Sequence, residues 1–391
     1  MSQLADPGRT PFEDAKIFTH QDSPESAPSN VDSDTSERPQ GTPDIRPKLA
    51  ASRAYTLSLS PYFLYTRSEL ISILISSKVY RQLEFMAVGS WWIHSPGHPN
   101  AESLELGATR LFHRVPGNRE DVFADSNISM KSKRTLMRFL RHISKPQDEE
   151  EQDEAEGKED LLIPLADYLS SNFSVPQDLQ NPLLSLSLSQ LLQQDTSASY
   201  AVPRIKRHLA SIGALGPGFG AVVSKYGGGS EILQVGCRAS AVGGAVYALD
   251  TGIQSITDGE VSAESDHPVE VRLSNGETVR TRVLIGSAWD LPSLEQPSCT
   301  RVARSITIAS STFTSLFPVT AEGAPVPASA VLMFPGDTLD SPQSPPVYLQ
   351  VHSSDTGDCP RQQSKSTRSH PILTLFSLCS YDDYPLLIYI A

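Results

Sequence analysis

Apolar and polar positions along the chain change period twice, and those changes organise it. Tyr55-Thr-Leu57-Ser-Leu59 alternates as a half-buried strand does, and Pro61 ends the pattern. Thr66-Arg-Ser-Glu69 has the form of a capping box ahead of the apolar run Leu70–Ile75, which predicts a buried helix. Phe85–Ile93 predicts a strand that places Trp91 and Trp92 in a core or at a sheet edge. From Asn127 the period becomes helical. Leu136, Met137, Leu140 and Ile143 recur on one face, with Lys133, Arg134, Arg138 and Arg141 opposite. Leu161–Phe173 keeps that spacing, and Leu183–Leu192, which fits either period, is assigned to helix from its neighbours. After Pro203 the pattern returns to mixed α/β: a helix over Arg204–Ile212, a glycine-rich loop, and strands at Ile253–Ile256, Val269–Leu273, Thr278–Ile285 and Arg304–Ala309. Asn275-Gly276 reads as a two-residue hairpin turn.

This order implies an α/β sheet domain assembled from residues 51–117 and 201–350, with an all-helical insertion at 118–200. An acidic loop, 146–160, interrupts the insertion, because its like charges repel. Residues 1–50 are expected to be disordered, since 20–47 hold almost no large apolar side chains to offset ordering entropy. Residues 351–391 read as an atypical, disordered tail.

Charge and cysteine usage narrow the function. A net charge of −13 makes general nucleic-acid binding unfavourable, because the protein repels phosphates. The four cysteines form no C-x-x-C pair, which argues against a zinc site or a disulfide scaffold and fits a reducing cytosol. No signal-peptide core opens the chain, and no run of eighteen apolar residues predicts a transmembrane helix. Gly213–Gly220 lacks the preceding strand and the distant acidic residue of a dinucleotide fingerprint, and no P-loop is present. No nucleophile elbow or H-E-x-x-H motif occurs. His208, among Arg204, Lys206 and Arg207, reads as a surface residue. The chain is read as a binding protein with no catalytic residue, metal or cofactor.

The chemistry concentrates in Lys225–Asp250, KYGGGSEILQVGCRASAVGGAVYALD. Gly227–Gly229 supply a tight turn, and a helix beyond it puts Glu231, Gln234 and Arg238 on one stripe. Gly243-Gly244 is expected to allow close backbone approach. This block closely resembles the hallmark segment of the Rab escort protein and Rab GDP-dissociation inhibitor family. A second block, Leu57–Tyr65 with Ser68–Ser77 and Val79-Tyr-Arg81-Gln-Leu-Glu84-Phe85, is similar to another family segment, as are Lys133–Leu140 and Pro203–Gly213. The resemblance spans roughly residues 50–290, and Ser230-Glu-Ile-Leu-Gln234 with Cys237-Arg238 is most like a fungal escort protein.

The resemblance implies a fold like that of FAD/NAD(P)-binding proteins and GDP-dissociation inhibitors. It also implies a Rab-binding platform of Arg81, Tyr226, Glu231, Gln234, Arg238, Val246 and Ala248. From the residues alone, Arg81 and Glu84 could instead form a surface pair across a turn. The implied partners are GDP-bound Rab GTPases, the Rab geranylgeranyl transferase α/β heterodimer, and a geranylgeranyl lipid held in the helical domain. Leu165 lies near the family's transferase contact. A cytoplasmic protein with transient peripheral membrane association is expected. The family's opening strand–glycine–helix unit and its usual C-terminus are not recognisable, so the sheet domain is expected to be incomplete and poorly stable alone. The alternatives are a Rab GDP-dissociation inhibitor, or a flavin-dependent amine-oxidase-like enzyme on the same fold.

Overall fold

The computed structural model of the chain describes residues 16–19, 50–95, 111–117, 119–124, 128–143, 160–258, 269–286, 291, 302–339, 344–371 and 386–390. Strands β1 (Lys16–Thr19), β2 (Leu64–Tyr65), β3 (Phe85–His94), β4 (Phe112–Arg114) and β5 (Ala221–Ser224) belong to one ten-stranded sheet, which continues beyond the helical insertion. Strand β3 organises it. One edge of β3 bonds β5 through Phe85–Val88 and then β4 through Trp92–His94, both antiparallel. Its other edge runs parallel to a strand at Ser329–Phe334. Trp91 and Trp92 point to opposite faces, as strand geometry requires, and both are buried. Trp91 joins the core beneath the helices, while Trp92 packs with Leu316, Phe317, Leu332 and Val351 and donates its indole N–H to the Leu316 carbonyl (3.2 Å). Gly89 sits where the parallel register slips. A Cβ there would lie 2.6 Å from Pro327 Cγ, so only glycine lets the two segments close up.

Helix α1 (Glu69–Ser76) precedes β3 and packs on β2 and the following turn; the helical unit comprises α2 (Arg119–Ala124), α3 (Met130–Ile143), α4 (Leu165–Phe173), α5 (Gln180–Ser187) and α6 (Ala198–Ser211), which follow β4. Phe139, Leu165, Leu169, Leu184 and Ile205 from α3–α6 share one core with Val88 and Trp91 of β3. Each fully buried side chain of that size contributes roughly 1.5–3 kcal/mol. Helix α6 begins at a Ser197 cap, whose hydroxyl accepts the Tyr200 amide (3.3 Å), and runs on through Pro203. The expected domain boundary at 200/201 therefore falls inside a helix. Pro203 forfeits one hydrogen bond, but the buried stripe Ala198, Ala201, Ile205 and His208 holds the helix together.

The remaining elements are α7 (Gly229–Val242), a small sheet of β6 (Ile253–Asp258), β7 (Val269–Leu273) and β8 (Thr278–Thr281), and strands β9 (Val302–Ala309), β10 (Ser329–Phe334), β11 (Val347–Ser353), β12 (Ser364–Pro371) and β13 (Leu386–Ile390) of the main sheet. The main order is β1-β13-β9-β12-β11-β10-β3-β5-β2. This corrects the disordered assignments at both ends. Lys16–Thr19 and Leu386–Ile390 are paired strands, and β12 lies inside the sheet between β11 and β9. Residues 20–47 and the acidic loop from 146 to 159 lie outside the described residues.

Several local expectations also change. Tyr55–Leu59 is an extended strap, with Leu57 and Leu59 packed on Ile306, because its backbone groups bond turns and side chains rather than a strand. Ser68, not Thr66, caps α1, while the Thr66 hydroxyl donates to the Ser211 carbonyl (2.5 Å). Leu70, Ile73 and Ile75 of α1 are exposed and only Ile71 and Leu74 are buried, since one face of this short helix meets the protein. Lys133 is buried and donates to the Phe123 carbonyl (2.8 Å), so its amphipathic role follows its ammonium's partner rather than its stem's period. The β7–β8 hairpin has a three-residue loop. The Gly276 amide donates to the Leu273 carbonyl (3.0 Å), the Leu273 amide to Glu277 (2.8 Å), and Gly276 takes φ +88°.

His208 is also corrected, being only 4% exposed rather than a surface residue. Its ring stands edge-on to Trp91 (4.4 Å) and Tyr65 (5.7 Å), and burial lowers its pKa to about 4. Folding therefore disfavours the imidazolium. The neutral ring's contribution is complete above pH ~6.5 and is lost as pH falls from there to about 4, at most about 3 kcal/mol. In urea titrations at pH 7, 5.5 and 4.5, His208→Phe should lose less stability than the parent on acidification. Equal losses would show that His208 does not resist protonation.

Candidate partner-binding platform

Strand β5 turns into α7 through Tyr226-Gly227-Gly228, with φ angles of 65°, 143° and 60°. The angles at Gly227 and Gly228 lie where side chains are strained, so the glycine cluster is required by this turn. At Gly229 the packing is tight, because the Tyr62 ring lies 3.0 Å from where its Cβ would be. The Tyr62 hydroxyl shares a hydrogen bond with Ser224 Oγ (2.8 Å), and the Ser224 hydroxyl donates to the Gly228 carbonyl. Ser230 Oγ donates to Gly227 O (2.8 Å). The turn is thus bonded to the sheet and to the strap before α7 begins.

Helix α7 buries only Val235. Glu231, Gln234 and Arg238 share one stripe, as their spacing predicts, with Gln234 and Arg238 exposed and Glu231 half-buried. No side chain of the three bonds another described residue, while Glu231 in the first turn suits the positive end of the helix. Leu233, on the same helix, is 75% exposed. The helix ends at Gly243 and Gly244, and Gly244 takes φ +96° with nothing within 4 Å of its Cβ position. These glycines terminate the helix rather than admit a neighbouring backbone. Val246 and Ala248 lie beyond α7 in exposed chain.

Arg81 lies in the turn Val79–Gln82, which packs against α7, and its side chain is exposed with no described partner. The pairing of Arg81 with Glu84 is not formed. Glu84 instead reaches Lys225 of the β5–α7 junction (3.0 Å), whose amide also donates to the Glu84 carbonyl (2.9 Å). Across those bonds the ammonium lies over the Tyr226 ring, 4.7 Å from its centre. The structure therefore brings Arg81, Tyr226, Glu231, Gln234 and Arg238 to α7 and its flanks. Leu165 is not among them. It is 2% exposed in the helical core, so it cannot present its side chain to a partner, whereas nearby Leu162 is 76% exposed. Tyr62 and Ser224 escaped the sequence reading, because their roles depend on a strap 162 positions away from its partner.

The glycine loop after α6 differs in connection from a dinucleotide turn. It joins a helix to β5, and the Gly213 amide closes it on the Phe219 carbonyl (3.0 Å), unlike a strand-to-helix pyrophosphate turn. The sheet with its helical insertion is a fold shared with a Rab GDI and with an oxidoreductase. A Rab GDI from Plasmodium falciparum superposes with a TM-score of 0.60 at 17% identity, over 87% of this chain and 75% of that one. An oxidoreductase from Methanosarcina mazei gives 0.50 at 11% identity, over 84% and 70%. The family model for GDP dissociation inhibitor matches residues 26–321, and the chain belongs to that family. It is 27% identical over 320 residues to the Rab proteins geranylgeranyltransferase component A of Candida albicans, covering 80% of this chain and 46% of that one. The namesake in Saccharomyces cerevisiae is 31% identical over 209 residues, 52% of this chain and 31% of that one. The chain thus spans less than half the length of these two relatives.

The burial pattern of α7 separates its structural residue from its surface ones. Val235→Ala should destabilise the protein by about 1–3 kcal/mol, whereas Leu233→Ser should change stability by less than about 0.5 kcal/mol. Chemical denaturation checks both. Similar losses would mean that the Leu233 face is covered.

Proposed function

We propose that this chain is a Rab escort protein that holds a GDP-bound Rab GTPase on α7. The observation that carries the reading is the stripe of Glu231, Gln234 and Arg238, three polar side chains with no described partner, beside the equally free Arg81 in a member of the GDP dissociation inhibitor family. A carboxylate, an amide and a guanidinium offer both acceptors and donors to a polar protein surface. Leu233, on another side of the helix, adds an exposed apolar side chain to α7. Tyr226, Val246 and Ala248 extend the platform at its two ends.

In this reading the chain is not a catalyst. It presents Rab to the geranylgeranyl transferase heterodimer, shields the geranylgeranyl lipid and carries the modified GTPase to membranes. The curated relatives are named as geranylgeranyltransferase components, which supports escort above inhibitor. Binding, release and lipid shielding need no protein nucleophile, and the cytoplasmic setting with transient membrane contact follows from the delivery step. The transferase contact is not assigned to Leu165, whose side chain is buried.

Arg238→Ala tests the platform, with binding of GDP-loaded Rab measured by calorimetry. Losing one charge-assisted contact should weaken affinity by about 1.5–3 kcal/mol, roughly ten- to hundredfold. Arg134→Ala on α3, remote from the stripe in sequence, should leave it unchanged. Unaltered Rab affinity in a folded Arg238→Ala protein would overturn the assignment.

A further inference from the structure

Behind the platform lies a buried ionic cluster that no part of the binding surface contains. Asp358 (3% exposed) follows the turn Ser354–Gly357 between β11 and β12, and Lys365 (2% exposed) is the second residue of β12. One carboxylate oxygen of Asp358 receives both the Lys365 ammonium (2.5 Å) and His352 Nδ1 of β11 (2.7 Å). Burial lowers the His352 pKa, and Lys365 adds to that. For Asp358, burial alone would raise the pKa, but the His352 bond and the Lys365 charge outweigh it and hold the carboxyl below its usual range. A carboxylate and an ammonium this deep are unfavourable unless paired, and removing one partner strands the other.

The cluster grips two segments. Lys365 Nζ also donates to the Thr56 carbonyl (3.4 Å), and the Thr56 amide donates to the Asp358 carbonyl (2.9 Å), so the strap is held from both sides. That strap runs on through Pro61 to Tyr62, whose ring lies against Gly228 and Gly229. On the other side of Asp358, the Thr356 carbonyl accepts the Tyr226 amide (2.8 Å), and Gly357, at φ +77°, lies directly against the Tyr226 ring. A Cβ on Gly357 would come within 2.5 Å of Tyr226 Cδ1. The turn that leads into α7 therefore rests on Thr356–Gly357 below and on the strap beside it, and both are fastened to Asp358.

We infer that Asp358 is a positioning residue for the platform: bonded to Lys365 and His352, it sets the 354–357 turn and the strap, and through them the Tyr226–Gly229 entry to α7. It touches no partner itself. The inference rests on the platform reading of α7, and its test separates the two.

Two variants probe it in the full chain. Asp358→Asn keeps the shape but removes the charge that pairs Lys365. Gly357→Ala keeps Asp358, Lys365 and His352 and displaces Tyr226, so it serves even if the first variant folds poorly. The readouts are amide exchange across 225–231, with α4 and α5 as internal reference, and affinity for GDP-loaded Rab alongside Arg238→Ala. Exchange across 225–231 should quicken roughly tenfold or more in both variants, while that of α4 and α5 stays unchanged, and Rab should bind about tenfold more weakly. Unchanged exchange across 225–231 in a folded variant overturns the inference. So does a loosened turn with full Rab affinity when Arg238→Ala weakens binding. A loosened turn with Rab affinity unaffected by any variant, Arg238→Ala included, supports the anchoring and overturns the platform reading instead.

Discussion

Burying both faces of β3 imposes a demand that the surrounding chain meets in two layers. Strand β3 pairs with β5 and β4 along one edge and with β10 along the other, so most of its backbone finds partners within the sheet. Trp91 then looks into the helices and Trp92 into the aromatic cluster on the far side. The helical unit supplies one cover and the 313–317 turn the other. Because β5 is paired to the first half of β3, the origin of α7 is fixed by the same strand. The platform helix is thus a continuation of β5, a strand whose four residues are all buried.

That origin contrasts with the helix itself. Helix α7 spends one residue, Val235, on the core and leaves the rest to solvent or half-exposed surface. Its direction depends on its entry turn and on the turn carrying Arg81. Three unrelated stretches converge at the entry: the strap through Tyr62, the glycines themselves, and the 354–357 turn with Asp358 behind it. Small residues at 227–229 permit the approach, and buried bonds to Ser224, Thr356 and Thr56 make it specific. A surface held by such support would lose less ordering entropy on associating with another protein.

The polar stripe on α7 was legible in the sequence because three- and four-residue spacing translates directly into one helical face. The helical insertion was legible for the same reason, through Leu136, Leu140, Leu165 and Leu169. Strands β3, β7 and β9 were readable from their apolar runs. The short-range signals misled where a side chain answered to a distant partner. Thr66 has the look of a cap but bonds Ser211, Glu84 reaches Lys225 rather than Arg81, and His208 sits on a basic helix yet turns inward to Trp91.

By itself, the sequence determined that α3, α4 and α7 are helices and that β3, β7 and β9 are strands, that the chain turns through glycine before α7, and which polar residues share the exposed stripe of that helix. These follow from local backbone preferences and from periodicity, which act over a few residues. Only the tertiary structure decided that β12 is an interior strand of the main sheet and that Leu165 is core. It alone decided that Asp358, Lys365 and His352 meet beneath the platform. Those outcomes depend on which strands pair and on which buried charges find one another. Partners separated in sequence by hundreds of positions, such as Thr56 and Lys365, leave no periodic trace in either segment.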